Sequence, residues 1–487
     1  MFRELSVINR RAFGWCCFAV ALYWYLSLFR NALIDDAFIT LSYARNILRS
    51  GTWGVFPSLI ANSATSPLNI LLLAFVSWFV GPTVQAPILT AFTAFLFIAW
   101  FLLRISFHMF RVEKFGVLAL SALIVNPLLT STIGLESILF IALFVALVYW
   151  FLVERWYLLA VTVGLLVLTR AEGALLFLVV LLFIPTYRLR VLVSVIVLAC
   201  IAPWYMFSWF WLGSFIPDTL FIKTGQGSWG AWTFANGMWM YLDKFPLQTA
   251  LTVCFLPLMA LGVSRKVSTV PVLRLIFMLG LAHYLGYSLL RVPPYHWYYT
   301  LEVVVVVLLG CFGLGVCSQH SGANAVWRQI IEGATVAGFC IPTLGMFFIL
   351  ASDEFWVREV PIHTNWADHE RYKEVGLWLK DNSSGQGIKL KGEIGTIAYY
   401  CDCFLLDAFS DRRWLGHYVS DHATGSGLAS MLFRVNFLFY AEEAGLPSVA
   451  YQLVGSTSRS NSSSGHIKQW ETMTKWVPYG SIVFDRY

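Results

Sequence analysis

Two carboxylates stand side by side at Asp35-Asp36, directly behind the first apolar segment of the chain. Acidic side chains at the mouth of a membrane helix are costly to place there, so the pair is a candidate for chemistry. A carboxylate within hydrogen-bond reach of a hydroxyl can serve as its general base. Polar groups recur between later apolar runs, at Gly134-Leu135-Glu136, Arg170-Ala171-Glu172-Gly173, Pro217-Asp218-Thr219 with Lys223, and Arg291 with Tyr295-His296-Trp297-Tyr298-Tyr299. Arg offers a phosphate a bidentate contact and Lys a point charge. Each stretch also has a structural reading. One Asp can cap the following helix, and Glu136 can sit at a helix start. Arg170 and Glu172 can pair with each other, Lys223 can snorkel, and the 295–299 aromatics can form an interfacial belt. A cap needs one carboxylate, however, and the chain supplies two. Glu302 lies inside an apolar run, where a functional role and an internal pair are both open. The sequence shows no metal-ligand spacing, P-loop, G-x-S-x-G or internal repeat.

The elements that position these residues are set by composition. The 487 residues are 58% hydrophobic and 12% charged, with mean hydropathy +0.69, which excludes an ordinary soluble globule. Residues 1–351 carry 20 Lys+Arg and 11 Asp+Glu, and residues 352–487 carry 13 and 16. That contrast divides the chain into a membrane domain, 1–351, and a water-soluble domain, 352–487. The net charge of +6 comes from the membrane half, where cytoplasmic loops collect Lys and Arg. It is no sign of nucleic acid. Seven of nine cysteines lie in or beside apolar runs as small hydrophobes. Cys401 and Cys403, two positions apart, would make a strained disulfide and are expected to be free thiols.

No cleavable signal peptide is expected, because the run 12–29 is long enough to span and no small-residue site follows it. Arg3, Arg10 and Arg11 precede it, which puts the N-terminus in the cytoplasm and the Asp pair outside. Residues 36–50 read as an amphipathic helix stopped by Gly51, within a first external loop, 31–66. The run 67–80 opens on Pro67 and closes on Gly81-Pro82; it is short for a span and reads as an interfacial helix. Eleven spans then follow, at 12–29, 86–103, 115–131, 137–153, 156–169, 173–186, 191–211, 247–263, 275–290, 297–316 and 329–351. With this threading the basic loops fall on the cytoplasmic side. Asp35, Asp36, Glu136, Arg170, Glu172, Asp218, Lys223, Arg291 and His296 all face outward, away from nucleotide sugars. In the last 136 residues, helices at 374–380, 396–400 and 435–444 alternate with strands at 388–391, 404–406 and 481–484, a small α/β unit. Residues 455–465, rich in Ser and Gly, read as a mobile loop.

In this order, Asp35-Asp36-Ala37-Phe38-Ile39-Thr40 with Tyr43-Ala44-Arg45-Asn46, Thr65-Ser66-Pro67-Leu68, and the Glu136, Arg170, Asp218/Lys223-Thr224-Gly225 and Tyr295 stretches resemble the bacterial GT-C glycosyltransferases. The nearest group is arabinofuranosyltransferase-like, similar to the terminal arabinofuranosyltransferases of actinobacterial cell walls. Glu393-Ile394-Gly395-Thr396-Ile397-Ala398-Tyr399-Tyr400 with Asp407 looks like that family's C-terminal module. The resemblance covers residue 34 to about residue 410. It departs at 61–64, Ala-Asn-Ser-Ala, where the family often carries Val-Glu-Gly-Tyr, so the first loop has one acid fewer.

The resemblance implies an α-helical polytopic GT-C protein of the bacterial plasma membrane with an extracytoplasmic α/β domain. It implies a polyprenyl-monophosphate-sugar donor and an inverting transfer, of arabinofuranose, without metal or other cofactor. The acceptor would be an extracytoplasmic glycan, protein or lipid, and membrane lipid the surroundings. The residue types suit that chemistry: a carboxylate to deprotonate the acceptor hydroxyl, negative charge beside an oxocarbenium-like transition state, and cations for the phosphate leaving group. Asp35 is expected to be the base, because the first acid of the pair holds that place in related motifs, with Asp36 orienting the acceptor or sharing the role. Lys223, Arg170, Arg291 and His296 are candidates for the donor phosphate. Glu136, Glu172, Asp218, Tyr295 and Tyr298 are candidates for sugar or acceptor contacts. The 67–80 helix would wall a lateral opening for the lipid tail. Two further readings stay open. One is a GT-C enzyme moving mannose, aminoarabinose or galacturonic acid onto protein, lipid A or O-antigen. The other is a lipid-sugar flippase, which would be expected to show midplane charges and two related halves; here the charges gather at the outer ends and no half repeats.

Overall fold

A computed structural model describes residues 2–57, 59–263, 269–320, 325–352, 358–383, 385–407, 409–410, 412, 416, 419, 425–440, 448–456 and 466–487. Apolar backbone in a membrane must pair within its own segment, so the apolar runs fold as helices. These are Phe2–Ser27, Gln85–Phe110, Lys114–Ile124, Ser137–Leu152, Trp156–Thr169, Gly173–Phe183, Tyr187–Trp211, Pro246–Thr252, Leu256–Gly262, Pro271–Leu290, Thr300–His320 and Ala325–Ser352. Two predicted spans are interrupted. Asn126 accepts hydrogen bonds from the Leu128 and Leu129 amides and starts a new short helix, Pro127–Thr130. The run 247–263 is broken between Thr252 and Leu256. Among the described residues, five helices are long and apolar enough to cross a membrane: Gln85–Phe110, Tyr187–Trp211, Pro271–Leu290, His296–Gln319 and Ala325–Ala351. The helix Pro67–Val80 has 14 residues, roughly 21 Å, against a hydrocarbon core of about 30 Å.

The helix Asp35–Ser50 ends at Gly51, which adopts the left-handed conformation (φ 67°) that suits glycine. Its N-cap is Ile34, with no side-chain capping bond. The expected local cap by Asp35 or Asp36 is therefore absent, because Asp35 is engaged elsewhere.

The C-terminal part builds a five-stranded sheet in the order β2-β1-β3-β5-β4, with β1 Gly387–Lys391, β2 Leu405–Leu406, β3 Val449–Ser456, β4 Lys468–Thr472 and β5 Gly480–Arg486. β1 pairs in parallel with β2 and β3; β5 is antiparallel to β3 and β4. The helices His369–Asn382 and Gly395–Cys401 pack beside it. Its core is shared with the first long loop: Tyr43, Trp53, Val55 and Phe56 bury against a cluster that includes Leu379, Ile388, Leu405 and Phe484.

Two expectations for this part are corrected. Cys401 and Cys403 are joined as a disulfide, because Asp402 between them turns left-handed (φ 54°) and brings the Cα atoms to 5.1 Å. The helix expected at 435–444 is Leu428–Asn436. It stops where Asn436 gives its carbonyl to Phe215 N and its side-chain oxygen to Ile216 N. Residues 441–444, and 457–465 of the expected mobile loop, lie outside the described residues.

Candidate active site

A cavity of about 840 Å³ opens where the first loop, the helix ends and the sheet meet. Among the described residues, six carboxylates line it (Asp35, Asp36, Glu136, Glu172, Glu393 and Asp407) and two cations, Arg170 and Lys223. Tyr295 and Tyr298 also line it. Most of the residues singled out from sequence thus converge, but their partners divide them into different kinds.

Asp35 is buried, and both carboxylate oxygens are in use. Oδ2 accepts from Gly395 N and Oδ1 from Thr396 N, each at 2.7 Å. The carboxylate caps the helix Gly395–Cys401 across a sequence separation of 360. Gly395 is required there, since a Cβ would fall 2.0 Å from the Asp35 carbonyl oxygen. Asn365 completes the junction: its Oδ1 accepts from Asp35 N at 3.2 Å and its Nδ2 donates to Glu393 Oε1 at 2.8 Å. Glu393 also accepts from Trp366 N and from the Tyr372 hydroxyl. Burial, reinforced by Asp35, pushes the Glu393 carboxyl up to about 8; burial raises Asp35 to about 6 despite its two backbone donors.

Asp36, the next residue, is half-buried and differs in its partners. Among the described residues, nothing but its own backbone N–H hydrogen-bonds to its carboxylate. Burial raises its pKa, with the charge of Lys223 opposing the rise, and no salt bridge closes between the two. Lys223 projects from the helix Asp218–Gln226 with its Nζ 3.6 Å from the Tyr295 ring centroid and 5.1 Å from that of Phe409. Burial brings it down to about 8, held from falling further by Asp36, Asp407 and Glu393. Asp407 is raised to about 6 by burial while its Oδ1 accepts from Ser410 Oγ and the 409 and 410 amides.

At the other end, Arg170 is fully committed. It donates to Glu172 through Nε, to Glu136 (3.4 Å) and the Trp297 carbonyl (3.2 Å) through Nη1, and to the Tyr287 hydroxyl (3.3 Å) through Nη2. Burial disfavours the Glu172 anion, but Arg170 holds its carboxyl down at about 2. Glu136 remains raised by burial. His283 carries the network inward, with Nδ1 2.6 Å from Glu302 and Nε2 3.8 Å from Glu172. Glu302 therefore has an internal partner.

Three candidates do not line the cavity. Asp218 is buried against Arg412 (2.9 and 3.2 Å) and Ser214 Oγ, a structural pair. Arg291 is exposed at a left-handed turn (φ 50°) that ends the helix Pro271–Leu290. His296 is buried on the inner side of a 3-10 turn, His296–Tyr299, with Nε2 3.4 Å from the Ser131 carbonyl. The loop position that lacks an acid, Asn62, ties the first loop to Ser208 and Ser214 instead of entering the cavity. Asn365, Glu393 and Asp407 are residues that side-chain type alone did not single out. An acid between two glycines at a strand-to-helix turn, Gly392-Glu393-Ile394-Gly395, was the available signal. Among the described residues no group of three or more His, Cys, Asp and Glu is placed to hold a metal ion.

No protein-family model and no curated protein sequence matches the chain. Its structure is similar to that of ArnT from Cupriavidus metallidurans bound to undecaprenyl phosphate, at TM-score 0.60 and 14% identity, covering 97% of this chain and 98% of ArnT. It is also similar to the Archaeoglobus fulgidus oligosaccharyltransferase in its apo form, at TM-score 0.53 and 12% identity, covering 90% of this chain and 69% of that one. Both are GT-C glycosyltransferases. The chain has the ArnT-like GT-C fold, that of a multi-pass membrane protein.

Proposed function

We propose that the protein is a membrane glycosyltransferase that moves a sugar from a polyprenyl-phosphate donor to an acceptor hydroxyl on the outer face of the bacterial plasma membrane. The observation that carries this reading is a half-buried acid, Asp36, which among the described residues has no hydrogen-bond partner beyond its own backbone, across one cavity from a half-buried lysine, Lys223, that closes no salt bridge among them. The fold shared with an undecaprenyl-phosphate-bound protein supports the donor class.

Asp36 is the general base in this reading. Its raised pKa brings it nearer the operating pH, where a base is most effective. It takes the acceptor proton as the hydroxyl oxygen attacks the anomeric carbon from the face opposite the departing phosphate, which inverts that centre. Lys223 holds the phosphate as negative charge builds on it, and the surrounding carboxylates favour the oxocarbenium-like transition state. Asp35, expected to be the base, becomes the residue that positions Asp36, because its oxygens are occupied by backbone donors. Arg170 holds Glu136 and Glu172 toward the sugar rather than binding phosphate alone. Eleven spans, a cytoplasmic N-terminus and a metal-independent transfer belong to the same proposal.

Arabinofuranose is the sugar that the sequence resemblance favours. The excess of six carboxylates over two cations favours a second donor, one whose sugar carries an amine, such as aminoarabinose. The experiment is transfer by purified protein in lipid with synthetic polyprenyl-phosphoryl arabinofuranose and polyprenyl-phosphoryl aminoarabinose, each offered a panel of glycan, peptide and lipid A acceptors. Product from one donor, abolished by Asp36→Asn, is the expected result. Binding of neither donor would point to a different sugar or return the flippase to consideration.

A further inference from the structure

The helix Leu428–Asn436 comes from the C-terminal part of the chain, yet it lies against the end of a membrane helix. Trp209 Nε1 donates to the Val435 carbonyl at 2.8 Å. The Phe439 ring sits 4.8 Å from Phe210 and 5.2 Å from Trp209. Those residues close the helix Tyr187–Trp211, whose 25 residues span roughly 37 Å against a hydrocarbon core of about 30 Å. With Arg188 and Arg190 at its other end, Trp209–Trp211 fall at the depth where interfacial aromatics collect.

The short helix is two-faced. Phe433 and Phe437 turn inward onto Phe221, at 5.3 Å each, and Asn436 bonds the Phe215 and Ile216 amides. Leu428, Met431, Leu432, Val435, Leu438 and Phe439 form the opposite stripe at helical spacing, with Leu428 69% and Leu432 57% exposed. Water is a poor neighbour for six aligned apolar side chains. The stripe continues the exposed flank of the membrane helix, where Met206, Phe207, Phe210 and Trp211 are also exposed.

We infer that the helix Leu428–Asn436, with the turn 437–439 that follows it, is an interfacial membrane segment, seated in the lipid leaflet on the cavity side of the membrane, that docks the C-terminal part of the chain onto the bilayer. Its occupant is lipid, because its depth is set by the end of a membrane-spanning helix and its apolar face extends that helix's lipid-facing flank. It also backs the cavity rim: Phe221 belongs to the helix that carries Lys223, and Ile216, Pro217 and Leu220 line the cavity. Lipid contact at this face is independent of the proposed reaction.

The test places the photoreactive residue p-benzoylphenylalanine at Leu428 or Leu432 of the full chain, reconstituted in phosphatidylethanolamine/phosphatidylglycerol vesicles. Trp211 serves as the lipid-facing reference and Lys468, exposed on the edge strand β4, as the aqueous one. Irradiation should give phospholipid adducts at Leu428 and Leu432 within about threefold of Trp211, and none at Lys468. Adducts at Trp211 but not at the two leucines would overturn the inference, as would adducts joining them to another protein chain. Failure at Trp211 as well would remove its premise, the depth of the helix end.

Discussion

The two ends of the cavity hold charges of the same types and use them in opposite ways. At the Arg170 end, the cation makes four contacts with groups of the protein, two of them to the carboxylates of Glu136 and Glu172, and His283 lies 3.8 Å from Glu172. At the Asp36 end, acid and lysine face each other without a bond, both half-buried in the cavity wall. A paired buried charge supports the fold, whereas removing its partner leaves an uncompensated charge at high cost. A charge without a partner in the protein, half-open to a cavity, is left free to meet water or a ligand. Partners within the protein thus distinguish charges that residue type does not, and backbone hydrogen bonds draw the same line between the neighbours Asp35 and Asp36.

The sharpest break of this comparison is Asp36→Asn. Transfer should fall about a hundredfold to ten-thousandfold, the range for loss of a general base, with melting temperature and donor affinity unchanged. Single-turnover transfer and donor titration measure both. Arg170→Ala should instead lower stability: it strands Glu136 and Glu172 and should destabilise the protein by about 3–5 kcal/mol, read as a lower denaturation midpoint in detergent. Lys223→Ala should weaken donor binding by about ten- to a hundredfold, the worth of one charged hydrogen bond, without lowering stability. An unchanged donor affinity would remove Lys223 from the site.

The smallest effect expected is a pH dependence at the sheet side. The folded protein holds the Glu393 proton up to about pH 8, while the unfolded chain releases it near the ordinary value of 4.5. The folded state therefore binds more protons between those limits, and stability should fall as pH rises from about 5 to 8. Melting temperature measured across that range should drop by a few degrees in the wild type, and the slope should flatten in Glu393→Gln.

Much of the helical layer was legible because apolar runs in lipid have one solution, and the amphipathic stripe and Gly51 marked the helix Asp35–Ser50. That Glu136, Arg170, Glu172, Lys223 and Tyr295 lie near the Asp pair followed from their shared position at helix ends. What each acid binds was not legible. Asp35 finds Gly395 360 positions away and Asp218 finds Arg412 194 away, and no local pattern encodes either partner. His296 was misplaced because an aromatic run has no polar stripe to show which side faces inward. The Cys401–Cys403 link depends on a left-handed turn at Asp402, a conformation that residue type permits but does not announce. β3 and β4 were not picked out, since Gln and Lys interrupt their alternation.

The capping of the Gly395 helix by Asp35 bears on how the protein is made. Synthesis delivers the Asp pair and the first loop early, and their packing partners arrive only when some three quarters of the chain has been translated. Until then Tyr43, Trp53 and Phe56 can meet Ile70, Trp204 and Leu212 but not the sheet half of their core, Leu379, Ile388, Leu405 and Phe484, so the first loop waits as a partly assembled surface. Truncation before Gly395 should leave inserted helices without a cavity, and the polypeptide should be degraded rather than accumulate as a partly active membrane protein. A later-made segment acts as the checkpoint for an earlier one.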